Sequence, residues 1–183
     1  MSRFTTREIA AAALFTALMS VAAFVAIPVG SVPFTLQVYV VLLAGMVLGP
    51  RLGTLSVAAY LVLGLVAPVY AGGASGVGAL FGPTGGYLWG FIGAVLVTGL
   101  IARRGERTVP RLLVAGLAGL VPIYALGAWW LGLQLGLSAE TAVLTGVAPF
   151  VWIDVVKAVA AAFTARAVVS LPLGLPAVSR RGR

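Results

Sequence analysis

Histidine and cysteine are both absent from this chain of 183 residues. Without an imidazole or a thiol, the sequence excludes a His-based catalytic triad, a cysteine nucleophile, a zinc finger, an HExxH metal site, an iron–sulfur cluster and a disulfide framework. Acidic residues are also scarce, since Asp and Glu together number only 4. These absences leave little from which an enzyme active site could be built.

Charged residues make up only 9% of the chain, whereas hydrophobic residues make up 61% and the mean hydropathy is +1.13. A soluble domain of this length needs roughly a quarter of its residues charged. Apolar runs approaching the roughly 20 residues that cross a bilayer as a helix recur six times. They cover residues 9–27, 36–48, 52–71, 85–102, 112–131 and 147–171. Because the second run is short, we expect it to begin within residues 31–35 or to lie partly re-entrant.

The basic residues alternate between successive connections of these runs. Ten of the twelve fall at the two ends and in the second and fourth connections, namely Arg3, Arg7, Arg51, Arg103, Arg104, Arg107, Arg111, Arg180, Arg181 and Arg183. The first and third connections have no charge, and the fifth has only Glu140. Since cytoplasmic loops carry the excess of Lys and Arg, both termini are predicted to be cytoplasmic. This cytoplasmic excess accounts for the net charge of +8 without nucleic acid. Attraction to anionic lipid headgroups follows from it.

The first run follows basic residues, as the apolar part of a signal peptide does. It is longer than such a segment usually is, and the charge alternation fits an even number of spans only if this run is retained. We therefore expect one all-α domain over residues 1–183, a single bundle of six transmembrane helices. Ala13 and Ala17 give the first helix a small-xxx-small spacing. This spacing indicates either a contact face for another protein or packing within the bundle.

Two connections on the predicted outer side contain groups that could bind a ligand. In the first, two prolines and a glycine stop a helix, and Thr35 and Gln37 bring hydrogen-bonding groups to the next helix. The alternative is a rigid turn with Thr35 as the helix N-cap. The third connection, residues 72–84, is rich in glycine and runs into Gly85-Gly86-Tyr87. Such a loop is either a lid over a ligand or a flexible link, and it lacks the Gly-Lys-Ser/Thr of a phosphate-binding loop.

The last run contains Asp154 and Lys157, three residues apart. Ionisable groups within a membrane are costly and usually face a bundle interior or a wet cavity. The spacing places both side chains on one helical face, roughly 10 to 15 Å along the axis from residue 147 at 1.5 Å per residue. The sequence therefore predicts a pocket open to the outside. The alternative is a structural ion pair that joins two helices.

A neutral, urea-like group would satisfy both charges, because its N–H groups donate to a carboxylate and its carbonyl accepts from Lys. A proton relay is the competing use, but such a path normally contains further acids or histidines. Phe34, Tyr87 and Trp152 are candidates for the walls around an apolar ligand body. Each could equally face lipid or the core, and Tyr87 also suits the interfacial belt of aromatic residues.

Taken together, these motifs resemble those of the BioY family, the substrate-binding subunits (S components) for biotin of energy-coupling factor (ECF) transporters. The resemblance covers nearly the whole chain. It rests on the alanine-rich first helix, Val32-Pro33-Phe34-Thr35-Leu36-Gln37, Gly49-Pro50-Arg51-Leu52-Gly53, Gly82-Pro83-Thr84-Gly85-Gly86-Tyr87, and Pro149-Phe150 with Asp154 and Lys157.

The resemblance implies a six-helix S component that captures biotin outside the cell membrane of a bacterium or archaeon and delivers it inward. It implies that Asp154 and Lys157 bind the ureido ring. Loops around Thr35, Gln37, Gly73, Thr84 and Tyr87 would close over the ligand, and Ala13 and Ala17 would contact the transmembrane coupling subunit. The other implied partners are two cytoplasmic ATPases, since this sequence has no Walker motif. The family implies no cofactor or metal and no enzymatic activity of its own.

One departure concerns the biotin carboxylate, which family members can bind through a basic residue in the outer half. The third connection here has no Arg or Lys, so we expect backbone N–H groups, Thr84 and water to bind the carboxylate with weaker discrimination. Two other readings remain open: an S component for a different vitamin-like ligand, and a membrane scaffold with a structural Asp154–Lys157 pair. An intramembrane enzyme is disfavoured, because no second acid lies well inside a span.

Overall fold

The computed structural model describes residues 4–30 and 32–171. Within these residues, seven helices follow one another: α1 Thr6–Phe24, α2 Gln37–Leu63, α3 Gly76–Leu80, α4 Gly85–Ala102, α5 Val109–Leu135, α6 Ala139–Gly146 and α7 Val151–Ser170. Two strands, β1 Ala26–Val29 and β2 Val32–Thr35, separate α1 from α2, and a short 3-10 helix covers Ala71–Gly73. Four of the described helices are long and apolar enough to cross a membrane, or five if α6 and α7, bent by 52°, form one broken span. The predicted helical membrane protein is therefore confirmed. Some residues used in the sequence predictions lie outside the described residues, namely Arg3, Ser31, Arg180, Arg181 and Arg183.

Helix α2 folds back on itself. The Gln37 side-chain amide donates a hydrogen bond to the Tyr60 hydroxyl, although a straight helix would separate these residues by about 35 Å at 1.5 Å per residue. The reversal lies at Gly49, whose φ of 76° and ψ of −179° are not helical. The two arms, residues 37–48 and 50–63, correspond to the second and third predicted runs. The third run was predicted to reach residue 71, but helical backbone ends eight residues earlier. The Tyr70 ring packs against Gly64, the residue that follows the helix.

A two-stranded antiparallel ribbon forms the first connection, where only helices and an irregular connection were expected. Its register pairs Ala26 with Thr35 and places Pro28 opposite Pro33. Antiparallel pairs alternate between those that exchange N–H···O bonds and those that do not, so facing prolines can occupy a pair that needs no N–H. Gly30 has a φ of 59° in the turn. The expectation of helices alone missed this ribbon, because two prolines in ten residues resemble a helix stop more than a strand pair.

Helices α4 and α5 approach each other closely along a line of glycines. A Cβ added at Gly86, Gly90 or Gly93 would come within 2.3 to 2.7 Å of atoms of α5. At the other end of α4, a Cβ on Gly99 would lie 2.5 Å from the Pro50 nitrogen, at the reversal of α2. Small residues therefore allow α4 to pack between α2 and α5, as they do in other membrane bundles.

Candidate ligand-binding site

Asp154 and Lys157 form a buried ion pair near the start of α7. The Lys157 Nζ atom lies 2.6 Å from Asp154 Oδ1, and the two residues are 4% and 8% exposed. Their i, i+3 spacing on α7 brings the side chains together on one helical face, as the sequence predicts. Burial of both charges requires further polar partners, because a charge removed from water is stabilised only by good hydrogen bonds.

Each member of the pair has such a partner on another element. The Tyr124 hydroxyl, on α5, donates to Asp154 Oδ2 over 2.5 Å. Lys157 Nζ donates to the Thr35 carbonyl, at the end of β2, over 2.6 Å. The same ammonium lies 3.8 Å from the centroid of the Phe34 ring, a distance at which the π face attracts a cation. The ion pair thus connects α7 to α5 and to the ribbon.

A cavity of about 120 Å³ surrounds this pair. The ribbon, the segment around the 3-10 helix and the first turns of α2 and α4 contribute its walls, together with α5 and α7. Its lining consists of Val32, Pro33, Phe34, Thr35, Gln37, Val38, Tyr70, Ala71, Ala74, Ala79, Thr84, Tyr87, Leu88, Phe91, Ile123, Tyr124, Phe150, Asp154 and Lys157. Among these described residues, Asp154 and Lys157 are the only charged side chains, so a mainly apolar chamber holds one acid and one base.

Seven of the nine predicted ligand-binding residues line the cavity: Phe34, Thr35, Gln37, Thr84, Tyr87, Asp154 and Lys157. Thr35 is not the N-cap of α2, as the alternative proposed, because Leu36 occupies that position. The Thr35 hydroxyl still accepts a long bond of 3.4 Å from the Gln37 N–H.

The structure does not bring Gly73 or Trp152 to the cavity. Gly73 lies one residue away from its lining, and its neighbours Ala71 and Ala74 contribute instead. Trp152 is 78% exposed, because two residues along a helix correspond to a rotation of about 200° and turn its ring away from Asp154. Its prediction as a cavity wall is therefore corrected.

Buried tyrosines anchor the loops around the cavity. Gln37, which is 2% exposed, donates to the Tyr60 hydroxyl, and that hydroxyl donates to the Val69 carbonyl over 3.1 Å. Tyr70 donates to the Leu61 carbonyl over 2.6 Å. Burial raises the pKa of Tyr70, so its hydroxyl remains a donor. These contacts hold the segment that leads into the 3-10 helix against α2.

Tyr87 is fixed from inside the bundle. Its hydroxyl donates to the Gly146 carbonyl at the end of α6 over 2.9 Å, and its ring covers Gly127 on α5. With 9% of its surface exposed, Tyr87 belongs to the core, and the interfacial-belt alternative is corrected. Phe150, in the bend that follows α6, stacks on Phe34 with ring centroids 6.5 Å apart.

Sequence reasoning missed Tyr124 and Phe150 as site residues. Tyr124 is the one hydroxyl-bearing residue in the predicted run 112–131, and a buried tyrosine O–H usually needs an acceptor. That signal could have marked it as a polar contact. The acceptor itself lies thirty residues away on another helix, so only the tertiary structure identifies it as Asp154.

Ala13 and Ala17 are both exposed on α1, whereas Ala12 and Thr16 are buried. The Thr16 hydroxyl donates to the Ser56 carbonyl of α2 over 2.9 Å, so the inner face of α1 is the one that contains Thr16. Within the described residues, the alanine pair therefore faces away from the bundle, and the alternative of internal packing is not realised.

The fold that positions this ion pair is that of an S component of an ECF-type ABC transporter. The structure matches the 2.1 Å crystal structure of the S-component for biotin of such a transporter with a TM-score of 0.82 and 28% sequence identity, covering 91% of this chain and 94% of that one. The chain belongs to the BioY family, whose model matches residues 1–172.

Relatives of this chain include named biotin transporters from distant organisms. The biotin transporter BioY of Thermotoga maritima is 46% identical over 160 residues, which cover 87% of this chain and 94% of the relative. BioY of Rhodobacter capsulatus is 44% identical over 179 residues, covering 88% and 93%. The probable biotin transporter BioY of Pyrococcus horikoshii is 43% identical over 160 residues, covering 87% and 94%.

Proposed function

We propose that this chain is the membrane subunit that captures biotin outside the cell and mediates its uptake. The observation that carries the proposal is the Asp154–Lys157 pair, buried in the cavity of a BioY family member. A urea presents N–H donors and a carbonyl acceptor on one small planar group, which matches an adjacent carboxylate and ammonium. The chain itself catalyses no reaction and needs no cofactor in this role.

The contacts of Lys157 support this ligand chemistry. Its ammonium donates to a backbone carbonyl, that of Thr35, inside the cavity. A ureido oxygen is chemically equivalent to that carbonyl and can replace it without leaving the ammonium unpaired. A ureido N–H can then donate to Asp154, while Phe34, Phe91 and Phe150 pack on the apolar rings of the ligand.

Ligand entry requires the surrounding loops to move. The cavity of about 120 Å³ is smaller than the roughly 300–1,000 Å³ that ligand pockets usually offer. The ribbon, the segment around Ala71 and Ala74, and Thr84 form part of its wall. We expect these segments to open for biotin and to close over it, driven by contacts that are stronger in the closed state. The carboxylate would meet Thr84, loop N–H groups and water.

The packing supports six crossings with both termini in the cytoplasm. The turn at Gly49 lies against Gly99, near the end of α4, so the connections that contain Arg51 and residues 103–111 share one side. Gly82 accepts a bond from Trp130 Nε1 over 2.9 Å, and Tyr87 donates to Gly146, which groups the third and fifth connections, neither of which has a basic residue, on the opposite side. Counting both arms of α2 and the bent α6–α7 pair gives six, with the basic side inside.

Partners supply the energy in this proposal. Two cytoplasmic ATPases would hydrolyse ATP, and a transmembrane coupling subunit would transmit the resulting conformational change to this chain. Ala13 and Ala17 would contact that coupling subunit. Their exposure on α1 supports this assignment, because small residues let helices from two membrane proteins approach closely. The rest of the surface of the bundle that faces the bilayer would contact lipid.

Equilibrium binding of biotin to the purified, detergent-solubilised protein tests the proposal. We expect tight binding by the wild type and at least a hundredfold loss in Asp154→Ala and Lys157→Ala, because each change removes a charged group that would hydrogen-bond to the ureido ring. Arg166→Ala, which removes an exposed cation from the same helix, is the matched control and should bind normally. A monodisperse wild type that binds no biotin would overturn the ligand assignment, and alanine variants that bind as well as the control would overturn the role of the ion pair in binding.

A further inference from the structure

Tyr124 occupies a boundary between two spaces in the bundle. Its side chain lines the cavity that contains the ion pair. It also lines an apolar groove between α5, α6 and α7, whose other described lining residues include Leu120, Trp129 and Val151. The Tyr124 hydroxyl is turned toward the ion pair and donates to Asp154 Oδ2 over 2.5 Å.

We propose that Tyr124 is a positioning residue, which fixes the Asp154 carboxylate so that the site selects ligands with an N–H donor at that oxygen pair. This inference rests on the proposed capture of biotin. It gives α5 a part in ligand recognition. The predicted site contains no residue of α5, since its members lie in the outer loops, at the start of α2 and α4, and on α7.

The geometry constrains the carboxylate from both sides. An ionised carboxylate is an acceptor only, with about four lone-pair sites. Lys157 takes one site at Oδ1 and Tyr124 takes one at Oδ2. Because these two donors come from different helices, rotation of the carboxylate about its Cβ–Cγ bond would break at least one bond in a buried setting. The carboxylate plane is therefore fixed, and the remaining lone pairs are available to a ligand.

The direction of the Tyr124 hydrogen bond gives the site its selectivity. A tyrosine hydroxyl has one proton, and Tyr124 gives it to Asp154, so this hydroxyl has no proton left for a ligand. A ligand atom beside the Asp154 carboxylate meets its two oxygens and the Tyr124 phenol oxygen, all of which are acceptors. An N–H fits there, whereas an oxygen in the same position leaves acceptors facing each other in a buried cavity, which is strongly disfavoured.

The test compares biotin with its two cyclic carbamate isosteres, each of which replaces one ureido N–H with oxygen. The isostere that wild type binds more weakly identifies the N–H nearest Asp154. In Tyr124→Phe, the carboxylate loses the donor that holds its plane and can turn toward Lys157. We expect biotin affinity to fall about tenfold, equivalent to 1.4 kcal/mol. We also expect the preference for biotin over that isostere to fall by about the same factor.

Tyr39→Phe is the matched control. Its hydroxyl also joins two helices, donating to Thr164 Oγ1 over 3.0 Å, but Tyr39 is not among the residues that line the cavity. This control should retain both the biotin affinity and the preference. A Tyr124→Phe variant that binds all three compounds more weakly by one common factor would show a purely structural role and overturn the inference.

The outcomes separate this inference from the proposed function. If the wild type does not bind biotin, both fail. If the wild type binds and Tyr124→Phe behaves like Tyr39→Phe, only the positioning role fails. If Tyr124→Phe does not fold, 3-fluorotyrosine at position 124 keeps the hydroxyl and changes its strength as a donor. We then expect the preference over the isostere to change at least twofold, and an unchanged preference would contradict the inference.

Discussion

At the scale of single residues, the proposed function makes the Asp154–Lys157 pair more important for ligand recognition than for stability. Lys157→Met should lower the free energy of unfolding by about 3–5 kcal/mol, because it leaves the Asp154 carboxylate buried without its counter-charge. Replacing both partners, as Asp154→Leu with Lys157→Met, should recover most of that loss, since no unpaired charge remains. Thermal unfolding in detergent measures both effects, and biotin binding should be absent from both variants.

Arg166→Met controls for the loss of a cation from α7, because Arg166 is exposed. Its stability should stay within about 0.5 kcal/mol of the wild type. A doubly replaced protein that still bound biotin like the wild type would show that the pair only joins helices. That result would favour the scaffold reading of these two charges.

The absence of a second cation in the described cavity lining predicts weak recognition of the ligand carboxylate. Lys157 is the only Lys or Arg among the described residues that line the cavity, and it is engaged by Asp154 and Thr35. Biotin and its carboxamide should therefore bind with affinities within about tenfold, the factor that 1.4 kcal/mol makes. Competition binding measures the ratio. A preference for the acid above a hundredfold would reveal a charged contact that this arrangement lacks.

At the scale of elements, the reversal of α2 depends on Gly49. Its φ of 76° and ψ of −179° fall in a backbone region that is essentially restricted to glycine. An added Cβ at this position would meet nothing within 4 Å, so strain in the backbone is the whole cost of a substitution. Gly49→Ala should lower the free energy of unfolding by about 1–3 kcal/mol, as measured by thermal unfolding.

Gly78→Ala is the matched substitution in a helical glycine of α3. A Cβ at Gly78 also meets nothing within 4 Å, and its φ is not positive. Because alanine favours helix, this variant should be as stable as the wild type or slightly more stable. Equal stability of the Gly49 and Gly78 variants would show that the reversal does not rely on a glycine conformation.

At the scale of the whole molecule, ligand binding and transport should depend on different surfaces, the cavity lining and the exposed face of α1. Ala13→Leu or Ala17→Leu should leave biotin binding to the purified protein unchanged, because neither alanine lines the cavity. Uptake by cells should fall at least fivefold, because a larger side chain separates two closely packed helices. Ala160→Leu, on an exposed face of α7, controls for the added bulk in lipid and should not change uptake.

The same experiment can refute this division. If the Ala13 and Ala17 variants lose binding and uptake in equal measure, the alanine face serves the fold of the chain itself. If uptake is unchanged in both variants, the surface that contacts the coupling partner lies elsewhere on the bundle.

Sequence alone determined those features that depend on one segment at a time. The long apolar runs identified a membrane protein, because a lack of charge cannot be compensated in water. The spacing of Asp154 and Lys157 predicted their contact, because a helix places residues i and i+3 on one face. The closeness of Ala13 and Ala17 along one face follows from the same geometry, and the described structure leaves that face exposed.

The tertiary structure decided those features in which distant segments meet. The pairing of Tyr124 with Asp154 has no local signal, since thirty residues separate that hydroxyl from its acceptor. The ribbon was missed because its two prolines indicated a stop, and only the register shows that they face each other. Trp152 was misplaced because a sequence shows which residues share a helix face, while packing decides which face points into the cavity.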